Sequence, residues 1–378
     1  MMSALILLIG AVPWAQRAAG ADIVAQSWEL TPSTALGPPP SAANGRLFSA
    51  TAQADFQPWA FTGLSSSNYW VLGAPACAAC AGPELLHTTN GGKTYEGMMG
   101  TLPLSTSSGV DVIKFADSRH GYAFSSIAPT PLWTTNDGGA HWAQHGTLAG
   151  PYSLLGMTLT ANGVLAVAGN CPDTCSAIAT MTTPIGSLHW TIRAVPEMKG
   201  VNPSSVLMTT WGPRIWLSGQ LPDGRPILLR STDNGHHFRS LSAPCSSVTA
   251  LDASSPSVIW AGCSDVNNSI LRSVDGGSSW QILIKRPGFI PLALSTASSS
   301  AAILATDVTG SLIITRDSGK HFRTVYTPHT EGWWMSVGYV SPERALAIRV
   351  LGQFPEPYGD HVLMQSNDGG RTWSTAVL

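Results

Sequence analysis

This chain of 378 residues is poor in charge. Asp, Glu, Lys and Arg together make up 11% of it, far below the usual quarter, and the net charge is −2. No run of Lys or Arg stands out, so the basic stripe that displaces counterions from a phosphate backbone is missing and nucleic-acid binding is not expected. Glutamate is scarce, at Glu29, Glu84, Glu96, Glu197, Glu331, Glu343 and Glu356 only. No segment beyond the first twenty-one residues has the length and apolarity of a membrane helix. No helical period extends beyond two turns.

Turn formers and apolar residues are plentiful instead. There are 38 Gly and 27 Pro, and 44% of the chain is apolar, enough for a sizeable core. Ala4 to Val12 form a short apolar run, followed by Ala19-Gly20-Ala21, which has the small-x-small form of a signal-peptidase site. Residues 1–21 are therefore expected to be a signal peptide, and residues 22–378 one domain. No Lys or Arg precedes the apolar run. That leaves open a start further upstream, an uncleaved anchor marked by Arg17, or a buried first strand. Export to the envelope or beyond is the expectation, with membrane attachment only through such an anchor.

The chain is organised by an octapeptide, Ser/Thr-x-Asp-x-Gly-x-x-aromatic, best seen at Ser273-Val274-Asp275-Gly276-Gly277-Ser278-Ser279-Trp280. Five more copies carry their acid or amide at Asn90, Asp137, Asp233, Asp317 and Asp368. A worn copy keeps Thr183 and Trp190 but has Ile185 in place of the acid. The copies start at 88, 135, 183, 231, 273, 315 and 366, with spacings of 47, 48, 48, 42, 42 and 51. Periods of about 40 to 50 residues belong to propeller blades of four strands. Each copy lies between β-rich runs, such as Ser269–Arg272 and Gln281–Ile284, and reads as a hairpin turn. The Asp or Asn accepts turn N–H groups, the Gly supplies an angle other residues resist, and the aromatic opens the next strand. The fold expected is all-β: a seven-bladed propeller of four-stranded antiparallel blades.

Six cysteines follow residue 76 in three local pairs: Cys77 with Cys80, Cys171 with Cys175, and Cys245 with Cys263. In an exported chain they are expected to be disulfides. Cys245 and Cys263 are symmetric about Ser254 and would face each other across a hairpin. The two closely spaced pairs are also compatible with redox chemistry or zinc.

The octapeptide resembles the Asp-box, or BNR, repeat of sialidases, sortilin-type receptors and related propellers. The longer pattern, Phe-Ala-Asp-Ser-Arg-His-Gly-Tyr-Ala-Phe at 115–124 and Thr-Asn-Asp-Gly-Gly at 135–139, resembles photosystem II stability/assembly factor-like propellers. The resemblance covers residues 27 to 378. It implies a fold and leaves function open, because members of the class do many things. It also implies a ring closed by the two chain ends, with Ser27–Leu30 and the C-terminal run 373–378 side by side or in competition for one place.

A sialidase-like glycoside hydrolase needs an arginine cluster, a nucleophile pair and an acid; the Arg-Ile-Pro signature is missing, and Arg214-Ile215-Trp216 is only a partial echo. No local motif sets two carboxylates at glycosidase spacing. His141, His189, His237 and His321 share one slot of the repeat on separate blades, so no metal is expected, nor any cofactor. The reading preferred is a non-catalytic, monomeric binding or assembly module with a protein or glycan partner. Its binding residues are sought in loops that depart from the repeat: Glu331, Trp333, Trp334, Tyr358 and Asp360 of the seventh blade, with Asp173, Asp223 and Arg225 as weaker candidates. Strand alternation turns at least one of Trp333 and Trp334 inward.

Overall fold

The computed structural model describes residues 26–29, 46–48, 56–75, 84–98, 110, 112–124, 132–145, 153–160, 163–170, 176–265, 268–287, 289–306, 310–352 and 360–378. They form a seven-bladed β-propeller of antiparallel four-stranded meanders. Its blades run from Phe56, Val112, Ser153, Leu207, Val248, Pro291 and Gly332 to Met98, His145, Ala194, Leu241, Lys285, Tyr326 and Thr375 respectively. Helical structure among these residues amounts to two single turns, Pro196–Met198 and Pro203–Ser205, each opened by its proline.

Within each blade the second strand is the most deeply buried. Gly121–Phe124, Ile259–Cys263 and Ala302–Thr306 are covered on both faces and carry few charges. The fourth strands, such as Gln281–Lys285, face solvent. The core lies between blades. Seven apolar clusters each fill one seam, for example Trp70, Leu72 and Leu85 of the first blade against Phe115, Ala123 and Trp133 of the second.

The ring closes by packing, not by strand exchange. Ser374–Thr375 is the fourth strand of the seventh blade, and its pairing partner is His361–Ser366. Gln26–Glu29 pairs with His189–Ala194 at the rim of the third blade, and Arg46–Phe48 adds a fifth strand to the first. The expected meeting of the two chain ends therefore does not occur. Each blade is already complete from contiguous sequence, so the N-terminal strands find free rim edges elsewhere. The closing seam is held by Tyr69, Val71 and Leu86 against Leu346, Ile348 and Leu363. The Arg344 guanidinium spans it, donating to the Tyr69 hydroxyl at 3.4 Å and to Gln365 Oε1 at 3.1 Å. The His361 N–H donates to Gln57 Oε1 across the same seam.

The innermost strands leave one edge unpaired, and a side chain of the preceding blade caps it. Thr62 Oγ1 accepts the Phe115 N–H, Thr209 Oγ1 that of Ala253, Asp252 Oδ2 that of Thr296, and Ser295 Oγ that of Tyr339. An edge N–H otherwise starved of water is satisfied in this way.

Cys245 and Cys263 form a disulfide, with an S–S distance of 2.00 Å. The hairpin is not centred on Ser254, however. Cys263 lies opposite Val248, and a bulge separates Val248 from Ala250. Within the observed turn, Ser255 Oγ accepts the Ser257 and Val258 N–H groups. Cys77, Cys80, Cys171 and Cys175 lie outside the described residues, as does the expected signal peptide.

Candidate functional site

The octapeptides form one face of the disc, together with the turns between first and second strands. In all six intact copies the first residue's hydroxyl accepts the N–H four residues on, at 2.8–3.0 Å: Gly92, Gly139, Gly235, Gly277, Gly319 and Gly370. The same hydroxyl donates to Oδ1 of Asn90, Asp137, Asp233, Asp275, Asp317 or Asp368. That oxygen also accepts the N–H four residues further along, as from Thr94, Ser279 and Thr372. The acids are thus spent on their own turns. His141, His237 and His321 each place Nδ1 2.6 Å from the carboxylate of their own copy, so the recurring histidines do not converge. In the worn copy, Thr183 Oγ1 donates to the Ser187 carbonyl and Ser187 Oγ caps the His189 N–H in place of the missing acid.

One strained position was not evident from the repeat. The residue after the acid also has positive φ and donates its N–H to the neighbouring turn of its own blade, as Gly276 does to the Ser257 carbonyl. Asn234 (φ 58°) and Ser318 (φ 65°) occupy it without being glycine. Serine has no ready access to this region. Ser318→Gly is expected to stabilise the fold by about 0.5–1 kcal/mol, measured by urea unfolding. A loss of stability would contradict the strain.

Hydrogen bonds also depress the acids. For Asp275, the Ser279 hydroxyl and N–H hold the carboxyl at about 2 against an ordinary 3.8. For Asp317, the His321 N–H and side chain do the same, to about 2. Burial pushes the Asp368 carboxyl up, but the Thr372 hydroxyl and N–H outweigh it, leaving about 2. A carboxyl depressed on folding stabilises above its unfolded value and loses that contribution as pH falls through the folded one. Stability is therefore expected to drop between pH 3.8 and about 2. Replacing the three acids by Asn, the residue already at position 90, should flatten that drop. Urea midpoints unchanged over the interval in the wild type would refute the assignment.

The opposite face carries the connections between second and third strands and between blades. On the seventh blade, Glu331 and Asp360 are both exposed there. They sit at the same strand ends: the Gly352 N–H donates to the Glu331 carbonyl, and the Leu351 N–H to the Asp360 carbonyl. Trp333 is half-buried. Trp334 is not a surface residue. It is 2% exposed in the seam with the sixth blade, and its indole N–H donates to the Gly310 carbonyl. Alternation along the strand turns it inward. Sequence reasoning missed its neighbour Arg349, which is buried beneath the loop. Arg349 Nη1 donates to Thr330 Oγ1 at 3.0 Å, and Nη2 to the Thr330 carbonyl. An arginine inside the otherwise apolar run Ala345–Leu351 was the available signal. Tyr358 and Asp173 lie outside the described residues. Asp223 and Arg225 pair with each other at 2.6 Å on the fourth blade, well separated in the ring from the seventh.

Solved structures provide the comparison. YCF48 from Cyanidioschyzon merolae superposes with a TM-score of 0.56 at 14% identity, over 83% of this chain and 96% of that one. The chain is a propeller that resembles YCF48. The likeness read from residues 115–139 to assembly factor-like propellers thus has a counterpart in shape. A puromycin-hydrolyzing peptidase of Mycobacterium tuberculosis gives a TM-score of 0.58 at 11% identity, over 92% of this chain and 56% of that one. A prolyl endopeptidase gives 0.59 at 11%, over 85% and 49%. This chain therefore spans about half the length of either peptidase. At such identities the likeness is one of fold. Neither a protein-family model nor a curated protein matches the sequence.

Proposed function

We propose that the chain is an exported, non-catalytic Asp-box propeller that holds a protein or glycan partner against the face opposite its octapeptide turns. The observation that carries this reading is the seventh-blade edge. There Arg349, buried and bonded twice to Thr330, supports a loop that presents exposed Glu331, with exposed Asp360 beside it. Preorganised polar groups beside a half-buried indole suit recognition, because little order has to be gained on binding. The turn face is the poorer candidate, since its regular acids already serve their own backbones. The Cys245–Cys263 bridge favours an oxidising compartment, hence export.

The test is affinity capture from the native host with wild type and with a Glu331→Lys/Asp360→Lys variant of unchanged melting temperature. A partner retained by wild type should be lost or weakened at least tenfold by the variant. Equal recovery removes the seventh blade as the site. Turnover of fluorogenic sialosides or other glycosides by the purified chain would overturn the non-catalytic reading.

A further inference from the structure

A cavity of about 1070 Å³ runs along the ring axis, lined by residues of six of the seven blades. Its walls are largely apolar, with Trp59, Phe61, Val112, Leu159, Leu294 and Met335 among them. One residue per blade takes an equivalent station near the octapeptide end. It is fixed by register, opposite the second-strand residue that follows the one paired with the octapeptide's first residue or its equivalent. These stations are Thr62, Lys114, Thr158, Thr209, Asp252, Ser295 and Gly338.

Four stations cap the next blade's edge, as described above. Lys114 cannot, because an ammonium group only donates. Among the described residues no hydrogen bond or ion pair within 4.0 Å closes on its side chain. It is half-buried and lines the cavity. Asp252, three blades on, lines the same cavity, with Oδ1 accepting from Thr209 Oγ1 at 3.3 Å and Oδ2 from Thr296 Oγ1 at 2.8 Å. The two charges are too far apart to bond, yet both border the same largely apolar cavity. Burial accordingly lowers the proton affinity of Lys114, opposed by the field of Asp252, and raises that of Asp252. A lone anion would meet Asp252 and a lone cation would meet Lys114. A molecule with both charges satisfies the pair and leaves its apolar part to the walls.

We propose that the axial channel binds a small zwitterion with an apolar side chain, an α-amino acid such as phenylalanine or leucine, its carboxylate on Lys114 and its ammonium group on Asp252. The site is separate from the seventh-blade edge and does not depend on it.

Calorimetric titration with L-phenylalanine tests the proposal. Wild type should bind one equivalent. Lys114→Met and Asp252→Asn should each weaken binding at least tenfold, while Glu331→Lys/Asp360→Lys leaves it unchanged. 3-Phenylpropionate, which lacks the ammonium group, should bind more weakly to Lys114→Met and, relieved of the Asp252 charge, more tightly to Asp252→Asn. On the wild-type protein alone, L-phenylalanine methyl ester should bind at least tenfold more weakly than the free acid, which keeps the test valid if a variant fails to fold. No saturable binding of L-phenylalanine or L-leucine to wild type overturns the proposal. So does Lys114→Met binding as wild type, or an ester that binds as well as the acid.

Discussion

Trp70→Ala is expected to lower the free energy of unfolding by about 3–5 kcal/mol, as large-to-small changes of buried aromatics do. Trp70 is fully buried in the seam between the first and second blades. Its ring stacks on Phe115 with centroids 3.8 Å apart and on His87 at 4.3 Å. Its indole N–H donates to the carbonyl of Gly138, inside the next blade's octapeptide, at 3.1 Å. The substitution opens a cavity, removes two stacks and leaves a buried acceptor unpaired. Trp70→Phe keeps most of the volume and should cost less, of which the orphaned carbonyl accounts for about 1–3 kcal/mol. Urea unfolding followed by circular dichroism measures both. A cost below 1 kcal/mol for Trp70→Ala would mean that the seams do not carry the stability assigned to them.

Replacing Cys245 and Cys263 together by Ser is expected to cost about 3 kcal/mol, from the closure of a loop with a sequence separation of 18. The position amplifies the effect locally. Cys263 ends a fully buried second strand, and Cys245 precedes the bulged inner strand it holds down. Peptide mapping without reductant should recover the two cysteines in one linked fragment. Denaturation with and without reductant should differ in the wild type by about the cost of the double substitution, plus whatever the other four cysteines contribute. A double variant as stable as wild type would show that the fifth blade orders its inner strand without the bridge.

The octapeptide made the fold legible because it is a local object: seven starts at nearly even spacing fix seven hairpins, and the short runs between them can only be strands. The same locality hid the rest. Ring closure depends on contacts between residues as distant as Gln57 and His361, and no sequence window contains both. Trp333 and Trp334 are equivalent as letters and are separated only by strand phase, which a bulge between Trp334 and Ser336 also perturbs. Lys114 looks like an ordinary turn-proximal lysine until register sets it in one ring of stations with Thr62, Asp252 and Ser295. Ser318 was invisible for a different reason: a consensus built on the acid and the following glycine says nothing about the angle of the residue between them.

On the proposed function, recognition belongs to one face of the disc and architecture to the other. Photo-crosslinking decides this most directly. Benzoylphenylalanine would be placed at 331 or 360 on one face and at 278 or 320 on the other, in the native host. Adducts with a discrete partner from 331 and 360, and none from 278 and 320, are predicted. Adducts from 278 or 320 alone would contradict the account.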